Sequence, residues 1–228
     1  MKIDILSLFP EMYNGPFTES ILKRAQKDGK VEINIHNFRD FTLDPHGNVD
    51  DTPFGGGSGM VLMCQPIFDC INSLKTKESL VIMMSPSGKV YNQTMAYELS
   101  SKKHLIILCG HYEGFDERIR SICDMEISIG DYILTGGEIP SMVLVDSITR
   151  LLPGVIDSES SQNESFNNHL LDYPVYTKPR VFNGMEVPSI LLSGDHAKID
   201  QYRHQEQIRK TKELRPDLLE GDGYEKKE

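Results

Sequence analysis

Gly130, Gly136 and Gly137, with Asp131, Tyr132 and Glu138 among them, make residues 128–140 (SIGDYILTGGEIP) the stretch best suited to chemistry through the backbone. An apolar run with Met125 and Ile127 precedes it, and Met142-Val143-Leu144-Val145 follows. Ordinary packing does not require so many permissive residues in one loop. Glycines there let the main chain turn sharply or approach a ligand, which its own N–H and C=O groups then read. A tight turn between a strand and a helix explains any one such loop. Residues 85–89 (SPSGK) and 110–117 (GHYEGFDE) repeat the pattern upstream.

Residues 53–60 (PFGGGSGM) form a fourth glycine-rich segment. It lacks the GK[ST] ending of a phosphate-binding loop and the spacing of a dinucleotide fingerprint. Asp50 and Asp51 precede it and would repel a phosphate. These features argue against nucleoside-triphosphate chemistry and favour a flexible loop that orders over a substrate. No GxGxxG follows the first strand, so the three later loops must carry any cofactor. No Ser/His/Asp order suggests a hydrolase, and residues 85–87 read as a turn rather than a nucleophile elbow. The seven histidines are scattered, and surface or hydrogen-bonding roles account for them.

The elements that position these loops follow from periodicity. Residues 3–9, 31–37, 80–84 and 105–109 predict strands. Residues 18–28, closed by Gly29, predict a helix with a glycine stop. Residues 65–75, 93–101, 138–152 and 195–212 predict further helices, the last amphipathic through Ile199, Tyr202 and Ile208. Alternation of this kind predicts an α/β domain with a mostly parallel sheet. In such folds ligands gather beyond the strand C-termini, where the three loops fall. Residues 157–168 are polar and aperiodic and read as a mobile linker. The tail after Leu219 is charged and reads as frayed.

Composition sets the outer limits. A chain of 228 residues can bury a good core as one large domain or as a domain with an appendage. No apolar run approaches the ~20 residues that span a bilayer. The N-terminal MKIDILSLFPEM has an aspartate inside its apolar run and reads as a first strand, not a signal peptide. Cys64, Cys70, Cys109 and Cys123 lack metal spacing and read as reduced thiols of a cytoplasmic protein. The formal net charge of −10 argues against nucleic-acid affinity driven by overall charge. The charge is uneven: residues 173–215 carry eight Lys/Arg and five Asp/Glu, and residues 1–172 carry 14 and 24. A mildly basic C-terminal piece on an acidic body is compatible with RNA binding, and a solvated helix surface fits the same counts.

Taken together, residues 50–60 (DDTPFGGGSGM), 85–88, 109–118 (CGHYEGFDER) and 128–140 closely resemble the bacterial tRNA (guanine-N1)-methyltransferase family TrmD. So do residues 150–155 (RLLPGV), 170–179 and 191–196 (LLSGDH). The resemblance runs from SLFPEM near the start to Arg203. It implies a SPOUT-type α/β domain over residues 1–156, with a deep trefoil knot in its C-terminal half. A flexible linker over 157–172 and a small, mostly helical tRNA-binding domain over 173–228 would follow. It implies a homodimer with sites at the subunit interface, and methyl transfer from S-adenosyl-L-methionine to N1 of the guanine directly 3′ of the anticodon. Threaded connections are nearly absent from proteins, so pattern alone would not suggest the knot.

Carried over residue by residue, the resemblance implies cofactor contacts at Pro86, Gly110, Glu113, Gly114, Ile129, Gly130, Asp131, Tyr132, Ile133, Leu134, Gly136, Gly137 and Pro140. Backbone groups freed by glycine suit an adenine edge, and the carboxylates of Glu113 and Asp131 suit a cationic sulfonium. It implies substrate contacts at Asp50, Gly59, Ser165 and His196, no resident metal, and Mg2+ as a candidate accessory ion. Guanine N1 must lose a proton before it attacks, so a general base and a donor to O6 are needed. The family's linker aspartate falls on Glu164 here, one methylene longer. Its arginine falls on Arg150. Thr52 and His111 stand where the family often has arginine, and Asp195 where it has asparagine, each a loss of positive charge or a gain of negative charge near the RNA. Two alternatives remain at this point: a related SPOUT methyltransferase with another RNA target, and a catalytically silent RNA- or cofactor-binding protein.

Overall fold

Strand β6, His104–Leu108 (HLIIL), is buried along its whole length, the pattern of a strand covered on both faces. The computed structural model describes residues 1–157, 164–166 and 168–220. In it β6 lies inside a five-stranded sheet with β1 (Lys2–Leu6), β2 (Glu32–His36), β5 (Ser79–Val90) and β7 (Met125–Ser128), in the order β2-β1-β6-β5-β7. Every pairing in it is parallel. A separate antiparallel pair, β3 (Asp50–Asp51) and β4 (Val61–Leu62), brackets the glycine-rich segment.

Helices cover both faces. On one, α1 (Ser20–Lys27), α3 (Gln93–Ser100) and α4 (Glu138–Thr149) pack Leu22, Leu99, Leu144 and Ile148 against Ile3, Ile5, Leu105 and Ile107. On the other, α2 (Cys64–Leu74) packs Ile67 and Ile71 with Phe38 and Ile119 against Leu6, Val81, Ile106 and Leu108. Local signals set the helix ends. Gly29 takes φ +66°, and Lys30 N donates to Ala25 O, which closes α1 with a left-handed cap. Asn92 opens α3 by accepting from Met95 N at 3.0 Å.

Asp4 in the middle of β1 is fully buried. It accepts from His36 Nε2 at 3.0 Å, His104 Nε2 at 2.8 Å, Asn34 Nδ2 at 3.0 Å and Lys2 Nζ at 2.8 Å. Burial alone would raise its carboxyl pKa. The four donors outweigh burial and hold it well below the usual carboxylate range. All four cysteines are free, and burial pushes Cys70 and Cys109 up to about 12 and Cys123 to about 11.

Several elements differ from the periodicity, and β1 already ends at Leu6 rather than at 9. Strand β5 continues through the SPSG turn to Val90, because Met84 and Lys89 both pair with Ile127 and the residues between them bulge out. Gly88 permits this: a Cβ there would sit 2.5 Å from Ile127 N. Helix α4 stops at Thr149 rather than 152, with Arg150 as its cap. β7, seen in the sequence only as an apolar run, forms the sheet's edge.

The chain divides into two units, Met1–Ile156 and Asp157–Glu228. In the second, helix α5 (His196–Leu214) begins at Asp195, which accepts from Lys198 N. A two-residue hairpin, β8 (Val181–Phe182) with β9 (Met185–Glu186), precedes it. Leu171 N donates to Thr211 Oγ1 at 2.8 Å, Lys210 Nζ donates to Asp172 O at 3.0 Å, and the Arg203 guanidinium stacks over Tyr173 at 4.9 Å. Ser165 Oγ accepts from Asp172 N at 2.9 Å. The mobile-linker expectation over residues 158–163 and 167, and the frayed tail beyond residue 220, lie outside the described residues.

Candidate cofactor-binding site

The C-terminal ends of β5, β6 and β7 are neighbours in the sheet, so the loops leaving them are forced together. Backbone contacts lock them. Gly137 N donates to Gly110 O at 2.8 Å, and His111 bridges Gly136 in antiparallel fashion. Gly137 is required by this approach, since a Cβ would stand 2.7 Å from Cys109 Cα and 2.9 Å from Gly110 N. Gly130 takes φ +143°, which turns the chain sharply out of β7. The fourth segment joins from the side: Leu62 N donates to Gly114 O at 2.9 Å, and Glu113 N to Met60 O at 3.0 Å.

Between these loops lies a cavity of about 510 Å3. Of the thirteen residues assigned to the cofactor, twelve line it: Pro86, Gly110, Glu113, Gly114, Ile129, Gly130, Tyr132, Ile133, Leu134, Gly136, Gly137 and Pro140. Asp131, an exposed residue of the same loop, is not among the lining residues. Asp50 lies in β3, and Gly59 in the loop after it touches the side chain of Glu113. Arg150 caps α4 in the first unit. Glu164, Ser165 and His196 belong to the second. Neither Arg150 nor Glu164 lines the cavity.

The structure adds residues that periodicity did not single out. His111, Phe115, Asp116, Glu117, Arg120 and Thr135 line the cavity as well. Phe9 stacks on His111 with centroids 4.7 Å apart. The Arg118 guanidinium, donating at 2.9 and 2.6 Å, holds the Asp116 carboxyl well below the usual range. Arg120 pairs with Glu117 at 2.8 Å and also with Glu126, and its other nitrogen reaches Ser87 Oγ at 3.3 Å. The charged residues sat inside the CGHYEGFDER segment or just after it, a placement that could have drawn attention to them. Among the described residues no group of three or more His, Cys, Asp and Glu side chains is placed to hold a metal ion. No helix among them is long and apolar enough to cross a membrane.

The cavity has the size of a small-molecule site, with apolar Ile129, Ile133 and Leu134 and the carboxylates of Glu113, Asp116 and Glu117 in its lining. A parallel sheet covered by helices on both faces, with such a cavity beyond its strand C-termini, defines an α/β protein with a ligand-sized site where ligands gather in this class of fold. The model of the family described as "tRNA (Guanine-1)-methyltransferase TrmD" matches residues 1–221, and the chain belongs to that family. It is 58% identical to a Dictyoglomus turgidum protein over 96% of this chain and 90% of the relative. It is 56% identical to one from Malacoplasma penetrans over 96% and 97%, and 54% identical to one from Carboxydothermus hydrogenoformans over 100% and 91%. All three relatives bear the name tRNA (guanine-N(1)-)-methyltransferase.

Proposed function

We propose that this chain methylates N1 of the guanine directly 3′ of a tRNA anticodon, with S-adenosyl-L-methionine held in the cavity at the ends of β5, β6 and β7. Family membership along nearly the whole chain carries the reading. The residues present suit the cofactor. The cavity volume is adequate for a nucleoside-sized ligand. Backbone groups of the glycine loops can read a base edge, and the Glu113 carboxylate in the lining suits a sulfonium charge.

S-adenosyl-L-methionine supplies an electrophilic methyl group carried on sulfur. The chain's own residues prepare the nucleophile. Glu164 takes the proton from guanine N1, leaving a lone pair free to attack. Arg150 donates to O6 and stabilises the charge that builds there. Asp50, Gly59, Ser165 and His196 contact the RNA, with residues 173–228 as the tRNA-binding domain and 157–172 as the linker.

We read the loops that leave β5, β6 and β7 as the trefoil knot of the SPOUT class, on the strength of family membership and the parallel sheet. The active form is a homodimer in which Arg150 and Glu164 of one site come from different subunits. Exposed Met12, Ile133, Ile139 and Val143 provide apolar surface for such an interface. The cytoplasm, where tRNA is found, is the compartment of action. Mg2+ enters only as an accessory ion, and transfer in the presence of a chelator tests it.

The direct test is methyl transfer to an unmodified tRNA transcript, with the product nucleoside identified. N1-methylguanosine should form, and should vanish when the guanine 3′ of the anticodon is replaced. Transfer that persists after the replacement would assign another RNA target. No transfer at all would favour a silent binding protein.

A further inference from the structure

Glu138 opens helix α4 as a carboxylate that is 1% exposed, and no step of the proposed reaction uses it. Its Oε1 accepts a hydrogen bond from Ser7 Oγ at 2.6 Å, across 131 residues of chain. Ser7 is itself fully buried just after β1, and its Oγ also accepts from Phe9 N at 2.9 Å. The other carboxylate oxygen of Glu138 lies over Gly136, so close that a Cβ on Gly136 would overlap it. The helix start is held from behind as well. Ser141 Oγ donates to Glu138 O at 2.7 Å and meets Tyr13 Oη at 2.9 Å. Tyr13 Oη in turn reaches Cys109 Sγ at 3.3 Å, next to Gly110.

Gly136 and Gly137 line the cavity, and Glu138 does not. One buried carboxylate therefore ties the wall of the cavity to the end of strand β1. Burying such a charge is unfavourable unless it is paired or hydrogen-bonded, and an apolar residue of similar size would fill the space more cheaply. We propose that Glu138 is a positioning residue: anchored by Ser7, it holds the backbone of Gly136 and Gly137 in the shape that receives the cofactor. It sets cofactor affinity without touching the cofactor. The inference rests on the reading of this cavity as the S-adenosyl-L-methionine site.

Four variants test it: Ser7→Ala, Ser7→Thr, Glu138→Gln, and Ile148→Val as a core control in the same helix. Calorimetric affinity for S-adenosyl-L-methionine is measured with KM and kcat at saturating tRNA. Ser7→Ala and Glu138→Gln should each weaken affinity and raise KM about tenfold, while kcat stays within about twofold, since the loss is one charge-assisted hydrogen bond. Ser7→Thr keeps the hydroxyl and should restore most of the affinity. Ile148→Val should leave affinity near wild type. Ser7→Ala removes a single oxygen and carries the test if Glu138→Gln does not fold. Wild-type affinity in Ser7→Ala would overturn the proposal. So would an equal loss in Ile148→Val, which would reduce Glu138 to a general stabiliser. If the wild type itself bound no cofactor, the cavity reading would fall and this inference with it.

Discussion

The side chain of Glu113 occupies the space where a Cβ on Gly59 would sit. Glu113 lines the cavity, and Gly59 belongs to the glycine-rich segment between β3 and β4, with φ +85°. The segment proposed for the substrate thus packs directly on a wall of the site proposed for the cofactor. Gly59→Ala should displace Glu113 and weaken S-adenosyl-L-methionine binding about three- to tenfold, the scale of coupling between residues in contact. Gly57→Ala is the control. It also changes a positive-φ glycine, but its nearest neighbour is Pro53 Cγ at 3.7 Å. Equal affinities in the two variants would show that the contact does not matter.

Leu134 and Gly136 separate ligand contact from loop integrity. Leu134 lines the cavity and is 37% exposed. Leu134→Arg puts a charged side chain into an apolar wall of the cavity, and should cost at least about tenfold in affinity with little change in melting temperature. A Cβ on Gly136 instead meets Glu138 and, at 2.7 Å, His111 Cδ2, both within the protein. Gly136→Val should lose stability and binding together. Calorimetry and thermal denaturation of both variants check this, and unchanged binding in Leu134→Arg would contradict the assignment.

These contrasts mark what the sequence made legible. Apolar runs and glycine stops placed the main strands and helices, because those signals are local. The clustering of residues 85–88, 109–118 and 128–140 was legible as motif order. The reason for individual glycines was not. Gly136 and Gly137 look suited to a ligand, yet they are fixed by His111, Glu138, Cys109 and Gly110. Asp4 stood out only as an aspartate inside the apolar run of the first strand. Its partners His36 and His104 are 32 and 100 residues away, beyond any periodicity. Glu138 looked like one carboxylate of a loop, and only the fold brings Ser7 to it across 131 residues.

Asp4 gives a prediction on stability against pH. Its folded pKa is depressed, so its contribution is fully present above the unfolded value of about 3.8 and is lost as pH falls below it. Asp4→Asn should lower stability at pH 7 by ~2–4 kcal/mol, because the buried His104 and the half-buried His36 lose the charge they donate to. The gap from wild type should narrow below pH ~4. Denaturant titrations at neutral and acid pH measure it, and a gap that stays constant would refute the role.

The placement of Arg150 and Glu164 in different units leads to a complementation test. Arg150→Ala and Glu164→Ala proteins should each be nearly inactive. After subunit exchange in equal mixture, about a quarter of the sites should be intact if the residues of one site come from different subunits. Recovery of methyl transfer toward that level is the expected result. No recovery after verified exchange would place both residues in one chain.

The central claim, that Glu164 takes the N1 proton, is tested most directly by single-turnover methylation with wild type, Glu164→Asp and Glu164→Gln. Gln keeps the length and shape but cannot accept a proton at neutral pH, so Glu164→Gln should lose ~10²–10⁴-fold in rate. Glu164→Asp keeps the basicity and should be much the faster variant. Affinity for tRNA should change far less in both, because phosphate contacts dominate it. A Glu164→Gln protein that methylates within a few-fold of wild type would place the base elsewhere and leave Glu164 without a role in the reaction.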